Sequence, residues 1–564
     1  MSALRLELGA YAAAVRERID SLRAEGFPRR LADCDDSLWG EDAARRRVVA
    51  SRLGWLASPA AMLERSEELT AFARAAREDG FQRVLLLGMG GSSLAPEVLA
   101  RVFGSRVHGL PLLMLDDTSP ASVRAAAAVC EPTTTLVLVA SKSGGTVEVA
   151  SFEKLFHARA AKALGELAGR GFVAITDPGT SLEALAATRH YRRVFTNPAD
   201  IGGRYSALSC FGLVPAALLG IDIAALCRHA LAERDALTTD GGPALELGAA
   251  LGVLANAGRD KLTLVMGPEF APFGVWIEQL VAESTGKEGR GILPVDGERL
   301  AEPARSGNDR VFVSVALGKL PAATEQALDA LAAAGHPVIR WARAEHEAVG
   351  AEVMRGEIAT AVASAVIGVN PFDEPNVAEA KAATKRVLQQ VEALGHFPAH
   401  SPRATDGVLS MHAPENTAID GADASAWARA FIALLGPGDY AATLAYLQRT
   451  DSRHAALDRI RQAILTATGN ATTLGYGPRY LHSTGQLHKG GPASGAFLEI
   501  TSEEGDEPIP GEPSGFQVLR DAQAAGDYDV LVAHGLRTMR VHVSGAIEAG
   551  LEKLAVAFEA AAKR

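Results

Sequence analysis

Two short segments carry side chains that could hold a phosphate. Gly88-Met89-Gly90-Gly91-Ser92-Ser93 follows the apolar run 84–88 and precedes a helix-forming stretch at 94–103. Glycines at such a turn uncover backbone N–H groups at a helix N-terminus, and these bind anions. Ser141-Lys142-Ser143-Gly144-Gly145-Thr146 repeats the arrangement after the apolar run 136–140, with hydroxyls and a lysine to donate to phosphate oxygens. Each loop also has a plainer reading. The first fits a tight turn without a ligand. It also half-fits the dinucleotide fingerprint G-x-G-x-x-G, with Asp116 as the ribose acid but Ser93 where the third glycine belongs. The second fits a Ser/Thr helix cap beside a solvated lysine. Two hydroxyl-rich loops at the carboxyl ends of strands in one sheet favour a single phosphate monoester over a pyrophosphate.

The elements that must position these loops follow from patterning. Short apolar runs at 84–88, 112–115, 136–140, 172–176 and 194–196 alternate with Ala-rich helical stretches. That alternation predicts a parallel, doubly wound sheet covered on both faces. It recurs as strands at 262–266, 311–317 and 338–341, with helices near 273–283, 322–334 and 357–365. The expected fold is α/β, with two doubly wound parallel-sheet domains at about 56–240 and 241–400. A helical N-terminal arm fills 1–55 and a C-terminal region fills 401–564. Residues 400–430 read as a linker or long loop. A helix pair is expected near 440–467, a loop region at 469–495, then an acidic turn and closing helices.

Composition bounds the rest. In 564 residues, 48% are hydrophobic and 22% charged, which suits large buried cores and excludes general disorder. Lys+Arg number 56 against 67 Asp+Glu, a net charge of −11, and no basic block interrupts this balance, so nucleic-acid binding is not expected. Cys34, Cys130, Cys210 and Cys227 are too scattered for a disulfide framework or a zinc site. The N-terminus alternates charged with apolar residues and is not a signal peptide, and Pro215 and Asp222 interrupt the most apolar stretch. A cytoplasmic protein without a membrane span is expected.

Three further segments sharpen the reading: Ile201-Gly202-Gly203-Arg204-Tyr205-Ser206, LVAESTGKE at 280–288 and NPFDEPNVAEAK at 370–381. Together with the two loops they resemble the sugar-isomerase fold and, within it, the phosphoglucose isomerase family, over about residues 80–385. LHSTGQ at 481–486 adds a match and resembles the isomerase half of transaldolase–phosphoglucose isomerase fusions. The resemblance implies aldose–ketose isomerisation of glucose 6-phosphate to fructose 6-phosphate, with a small sugar phosphate as partner and neither metal nor redox cofactor. It implies Glu283 as the base between C2 and C1, Arg204 as the group stabilising the enediolate, and Lys381 and His482 as ring-opening groups. Gly90, Gly91, Ser92, Ser141, Lys142, Ser143, Thr146 and Glu374 are implied to bind substrate. Two departures stand out. Glu374 replaces the family's usual Gln, and the histidine segment follows the lysine instead of preceding it.

The residues themselves can be weighed beside that resemblance. Phe273, Trp276, Ile277, Leu280 and Val281 have i, i+3, i+4, i+7, i+8 spacing, so Glu283 falls in the last turn of an amphipathic helix with Gly286 as its cap. The negative helix end makes a carboxylate there more basic; Lys287 and Arg290 oppose this. A solvated glutamate is the plain alternative. Arg204 on a Gly-Gly turn suits close approach, or else a salt bridge. Lys381 also fits an ordinary charged helix face with Glu379 and Lys385, and His482 a solvated loop near His488 and Lys489. Residues 385–480 are long enough to return His482 to its own chain's cleft, so a monomer or a homodimer would serve. The competing functions are a non-catalytic sugar-phosphate-binding regulator, an NAD-dependent dehydrogenase, and an isomerase for a related sugar phosphate.

Overall fold

Arg5–Glu7 (β1) opens the chain as a strand, ahead of the arm helices Ala12–Ala24, Phe27–Ala32 and Ala43–Ala50. The computed structural model describes residues 4–104, 106, 108–397, 401–415, 417 and 421–563. The strand corrects the expectation of an all-helical arm. Three residues are too few to show a period, and β1 is held by the edge it joins and by the ion pair of Glu7 with Arg340 at 2.6 Å.

The first sheet holds Arg83–Gly88 (β2), Leu112–Leu115 (β3), Thr135–Ala140 (β4), Phe172–Thr176 (β5) and Arg193–Thr196 (β6), in the parallel order β3-β2-β4-β5-β6. Its register places Gly88 beside Ala140, so both glycine-rich loops leave the carboxyl edge side by side. The second sheet holds Lys261–Met266 (β7), Leu293–Val295 (β8), Arg310–Leu317 (β9) and Val338–Arg343 (β10), in the order β1-β10-β9-β7-β8. Only β1 runs antiparallel there. One apolar core runs through both sheets and the arm, which explains the near-continuous apolar strands.

A third sheet departs from expectation. Ala404–Asp406 (β11), Leu409–His412 (β12), Tyr440–Tyr446 (β13), Ala471–Tyr476 (β14), Gly495–Ser502 (β15) and Arg537–Val543 (β16) form it in the order β11-β12-β16-β15-β13-β14. Its core is separate from the first. The linker read at 400–430 is instead the β11–β12 hairpin and the helix Ala424–Ala433, while residues 400, 416 and 418–420 of that reading lie outside the described residues. The helix pair near 440–467 is one strand and one helix, Asp451–Thr468. YAATLAY is Ala-rich like a helix, but every residue of β13 is buried, Ala441 and Ala445 in one apolar cluster and Tyr440, Ala442, Leu444 and Tyr446 in another, and burial on both faces decides for strand. The loop region at 469–495 contains β14 and the short helix Gly485–Gly490.

The third unit is packed onto the first two. A Cβ on Gly526 would come within 2.7 Å of Thr384 N, where the helix Phe516–Ala533 crosses the helix Pro375–Leu394. Among the described residues, no helix is long and apolar enough to cross a membrane.

Candidate active site

Close backbone contacts bring the motif segments together. A Cβ on Gly91 would lie 1.9 Å from Gly203 O, so the first loop sits directly on the turn that carries Arg204. Gly90 has φ +54°, and a Cβ there would lie 2.9 Å from His482 O. The helix Phe273–Thr285 completes the cluster. Gln279 Nε2 donates to His482 O at 2.8 Å and to Glu283 Oε2 at 3.1 Å. The helix ends at Gly286, as its sequence suggests. There the absent side chain admits Leu487, whose Cα would be 2.4 Å from a Cβ.

Glu283 and Arg204 meet at the centre of this cluster. Arg204 Nη1 lies 3.1 Å from Glu283 Oε1 and 3.2 Å from Glu374 Oε2. Its other nitrogens are fixed by Ser284 Oγ at 2.9 Å, Pro371 O at 2.6 Å and Asp373 O at 2.9 Å. Burial raises the Glu283 carboxyl above its ordinary value; Arg204 pulls it down and Glu374 adds to the rise. Of the two cations expected to oppose that rise, Lys287 still does so, more weakly than Arg204, and both are bonded to other groups. Lys287 Nζ binds Asp373 Oδ1 at 2.7 Å, and Arg290 donates to Ile367 O at 2.7 Å. Burial, aided by Arg204, pushes the Lys287 ammonium down to about 8.

His482 lies in the same cleft, in the same chain. Its Nε2 is 2.9 Å from Glu148 Oε1, which also accepts from Gln523 Nε2 at 2.8 Å. Burial would raise the Glu148 carboxyl, but the charge and hydrogen bond of His482, with the charge of Lys381, bring it below its ordinary value. Lys381 is exposed on the helix Pro375–Leu394, and its charge reaches Glu148.

The two loops expected to hold phosphate differ in what their side chains meet. Ser92 is buried at the first loop, and Ser141 Oγ and Thr146 Oγ1 lie 3.0 Å apart across the mouth of the second. Ser143 is exposed and its Oγ accepts from Gly145 N at 3.3 Å. Lys142 differs: its ammonium is paired with Asp177 and donates to Ala199 O at 3.3 Å, so the loop's own lysine charge is already met. Asp116 is bound to Arg479 at 3.2 Å, which removes the acid a dinucleotide ribose would need. A cavity of about 980 Å³ lies beyond Ser483 and Thr484, lined also by Asp116, Glu278, Asp296 and Arg479, while Glu283 and Arg204 do not border it.

The family model for phosphoglucose isomerase matches residues 62–241, the stretch with both loops and Arg204. The glucose-6-phosphate isomerase of Rubrobacter xylanophilus is 30% identical over 371 residues, covering 57% of this chain and 86% of that protein. The chain belongs to the glucose-6-phosphate isomerase family. A probable glucose-6-phosphate isomerase of Natronomonas pharaonis is 29% identical over 67% of this chain and 94% of its own length. Among solved structures, a hypothetical protein from Thermus thermophilus superposes with a TM-score of 0.57 at 26% identity, covering 68% of this chain and 99% of that one.

For a member of the glucose-6-phosphate isomerase family, several polar residues at the cleft escaped the sequence reading: Gln279, Ser284, Gln523 and, beside the histidine, the carboxylate of Glu148. For Glu148 a signal existed. A carboxylate in the first helical turn behind a phosphate loop would repel the phosphate, unless it is buried and turned to a cation. At the loop itself, Ser141→Ala and Thr146→Ala are expected to raise KM far more than they lower kcat. A phosphate is held equally in ground and transition states, and each lost donor to a charged acceptor costs about 1.5–3 kcal/mol. Steady-state kinetics check this; an unchanged KM in both variants would move the phosphate elsewhere.

Proposed function

We propose that this chain interconverts D-glucose 6-phosphate and D-fructose 6-phosphate through a cis-enediol(ate), in glycolysis and gluconeogenesis. The observation that carries the reading is a buried carboxylate, Glu283, held 3.1 Å from a guanidinium between two phosphate-type loops and a histidine–carboxylate pair. In this scheme the loops hold the phosphate. His482, backed by Glu148 and the charge of Lys381, moves the proton that opens the sugar ring. Glu283 then takes the C2 proton and returns it to C1 on the same face. Negative charge that leaves Glu283 appears on the enediolate oxygens beside Arg204, where a fixed guanidinium stabilises it. A monomer or homodimer working in the cytoplasm, without nucleic acid, belongs to the same reading. So does the division into an arm (1–55), two sugar-isomerase domains (56–240 and 241–400) and a C-terminal unit (401–564).

The test is a coupled isomerase assay on the purified chain with glucose, mannose and ribose phosphates. Turnover of glucose 6-phosphate is expected. Turnover of another sugar phosphate alone would change the substrate, and binding without any turnover would make the chain a regulator. A phosphorylated sugar acid, planar and anionic at C1, is expected to compete with substrate and to bind more tightly than it. A chelator should leave the rate unchanged, because Arg204 supplies the positive charge the intermediate needs. Loss of activity on chelation, restored by a divalent ion, would contradict this.

A further inference from the structure

Arg204 has one nitrogen and two carboxylates for it. Nε and Nη2 are fixed by Ser284 Oγ and the carbonyls of Pro371 and Asp373, so the guanidinium cannot turn. That leaves Nη1, which meets Glu283 Oε1 at 3.1 Å and Glu374 Oε2 at 3.2 Å. The two carboxylates are not equivalent. Glu283 is 11% exposed and tied by Gln279, whereas Glu374 is 43% exposed, precedes the helix Pro375–Leu394 and caps nothing with its side chain. Resting on the isomerase reading above, we propose that Glu374 is a positioning residue: it shares Arg204 Nη1 with the base and yields that nitrogen to the substrate oxygen.

Two consequences follow from charge alone. The first concerns the base. Glu283 is faced by Arg204 and Tyr205 from the turn Gly203–Tyr205, by Gln279 and Lys287 from its own helix and just beyond it, and by Glu374 from the loop, with Asp373 behind Lys287. A second carboxylate on Nη1 weakens the hold of Arg204 on Glu283 and keeps Glu283 the stronger base. The second concerns selectivity. In catalysis the negative charge moves from Glu283 to the enediolate, so the charge within the site is conserved. A sugar acid instead adds a charge while Glu283 is still ionised, and Glu374 opposes it.

Glu374→Gln removes the charge and keeps the shape. In this variant the acid limb of kcat/KM is expected to move down by about 0.5–1 pH unit, a like-charge effect reduced by the exposure of Glu374. Binding of 6-phosphogluconate at neutral pH, measured by calorimetry, is expected to tighten by about 3–10-fold for the same reason. Glu374→Asp retains the charge and should keep the wild-type affinity. Affinities that are the same in wild type and Glu374→Gln, or a limb that stays in place, would overturn the proposal. Wild-type chain that binds 6-phosphogluconate but isomerises no sugar phosphate would instead overturn the isomerase reading, and the calorimetric comparison still decides the role of Glu374.

Discussion

Glu283→Gln is expected to lower kcat by at least about 10²–10⁴-fold, the range for removal of a general base. The amide has the shape of the carboxylate and its one oxygen can still accept from either Arg204 or Gln279, so the cleft should keep its form with the loss of one contact. What it cannot do is take a proton from C2. A phosphorylated polyol, neutral at C1, should therefore bind within a fewfold of its wild-type affinity, and calorimetry with a polyol phosphate checks that half of the prediction. A variant with near-normal kcat would remove Glu283 from the mechanism. The pH dependence follows from the same carboxyl. Burial lifts it above the ordinary value of 4.5. The acid form cannot accept the C2 proton, so activity is present above the raised value and is lost as pH falls through it. The acid limb of kcat/KM should accordingly lie above pH 4.5 and fall about tenfold per pH unit.

What could be read in advance followed sequence distance. The loops at Gly88–Ser93 and Ser141–Thr146 were legible because strand, glycine turn and helix are local, and Gly88 and Ala140 then align by the register of adjacent parallel strands. The site of Glu283 was legible from helical spacing up to Thr285. Its neighbours Arg204 and Glu374 were legible only through the family resemblance, and their meeting with it was not. The electrostatics of Glu283 depend on Arg204 and Glu374, which lie 170 residues apart in the chain and meet at one nitrogen. Lys142 looked like a phosphate ligand because its own loop says so, yet Asp177 claims its charge from the neighbouring strand's end. Tyr440–Tyr446 failed for a related reason: alanines favour helix locally, and only pairing with β14 and β15 between two distant apolar clusters makes the segment a strand buried on both faces. The departure in motif order does not keep the histidine out of the cleft. His482 follows Lys381 in the chain, but it reaches Glu148 across 334 residues, as geometry rather than order requires.

That histidine carries the second large effect. Glucose 6-phosphate in solution is mostly a closed ring, so a proton must move between the ring oxygen and a hydroxyl before C2 chemistry begins. With Glu148 accepting at Nε2, the neutral imidazole carries its proton there, and Nδ1 is the nitrogen left to take and return one. The buried Glu148 then stabilises the imidazolium that forms, as a positioned acid does beside a catalytic histidine. His482→Ala should slow turnover of cyclic substrate by about 10²–10⁴-fold. It should do so far more than it slows deuterium exchange at C2 of a phosphorylated tetrose, which cannot close a ring. Glu148→Gln should move both rates in the same pattern with a smaller loss, about 10–100-fold, because the histidine stays but loses its counter-charge. Equal losses in the two assays would assign His482 to C2 chemistry or to structure instead. Because Glu283, Arg204, Glu148 and His482 converge within one chain, the site also makes a demand on assembly. Mixing the Glu283→Gln and His482→Ala proteins should restore no activity, since neither chain contains a complete set. Recovery of activity on mixing would mean that the histidine is exchanged between subunits, and the cis arrangement would be wrong.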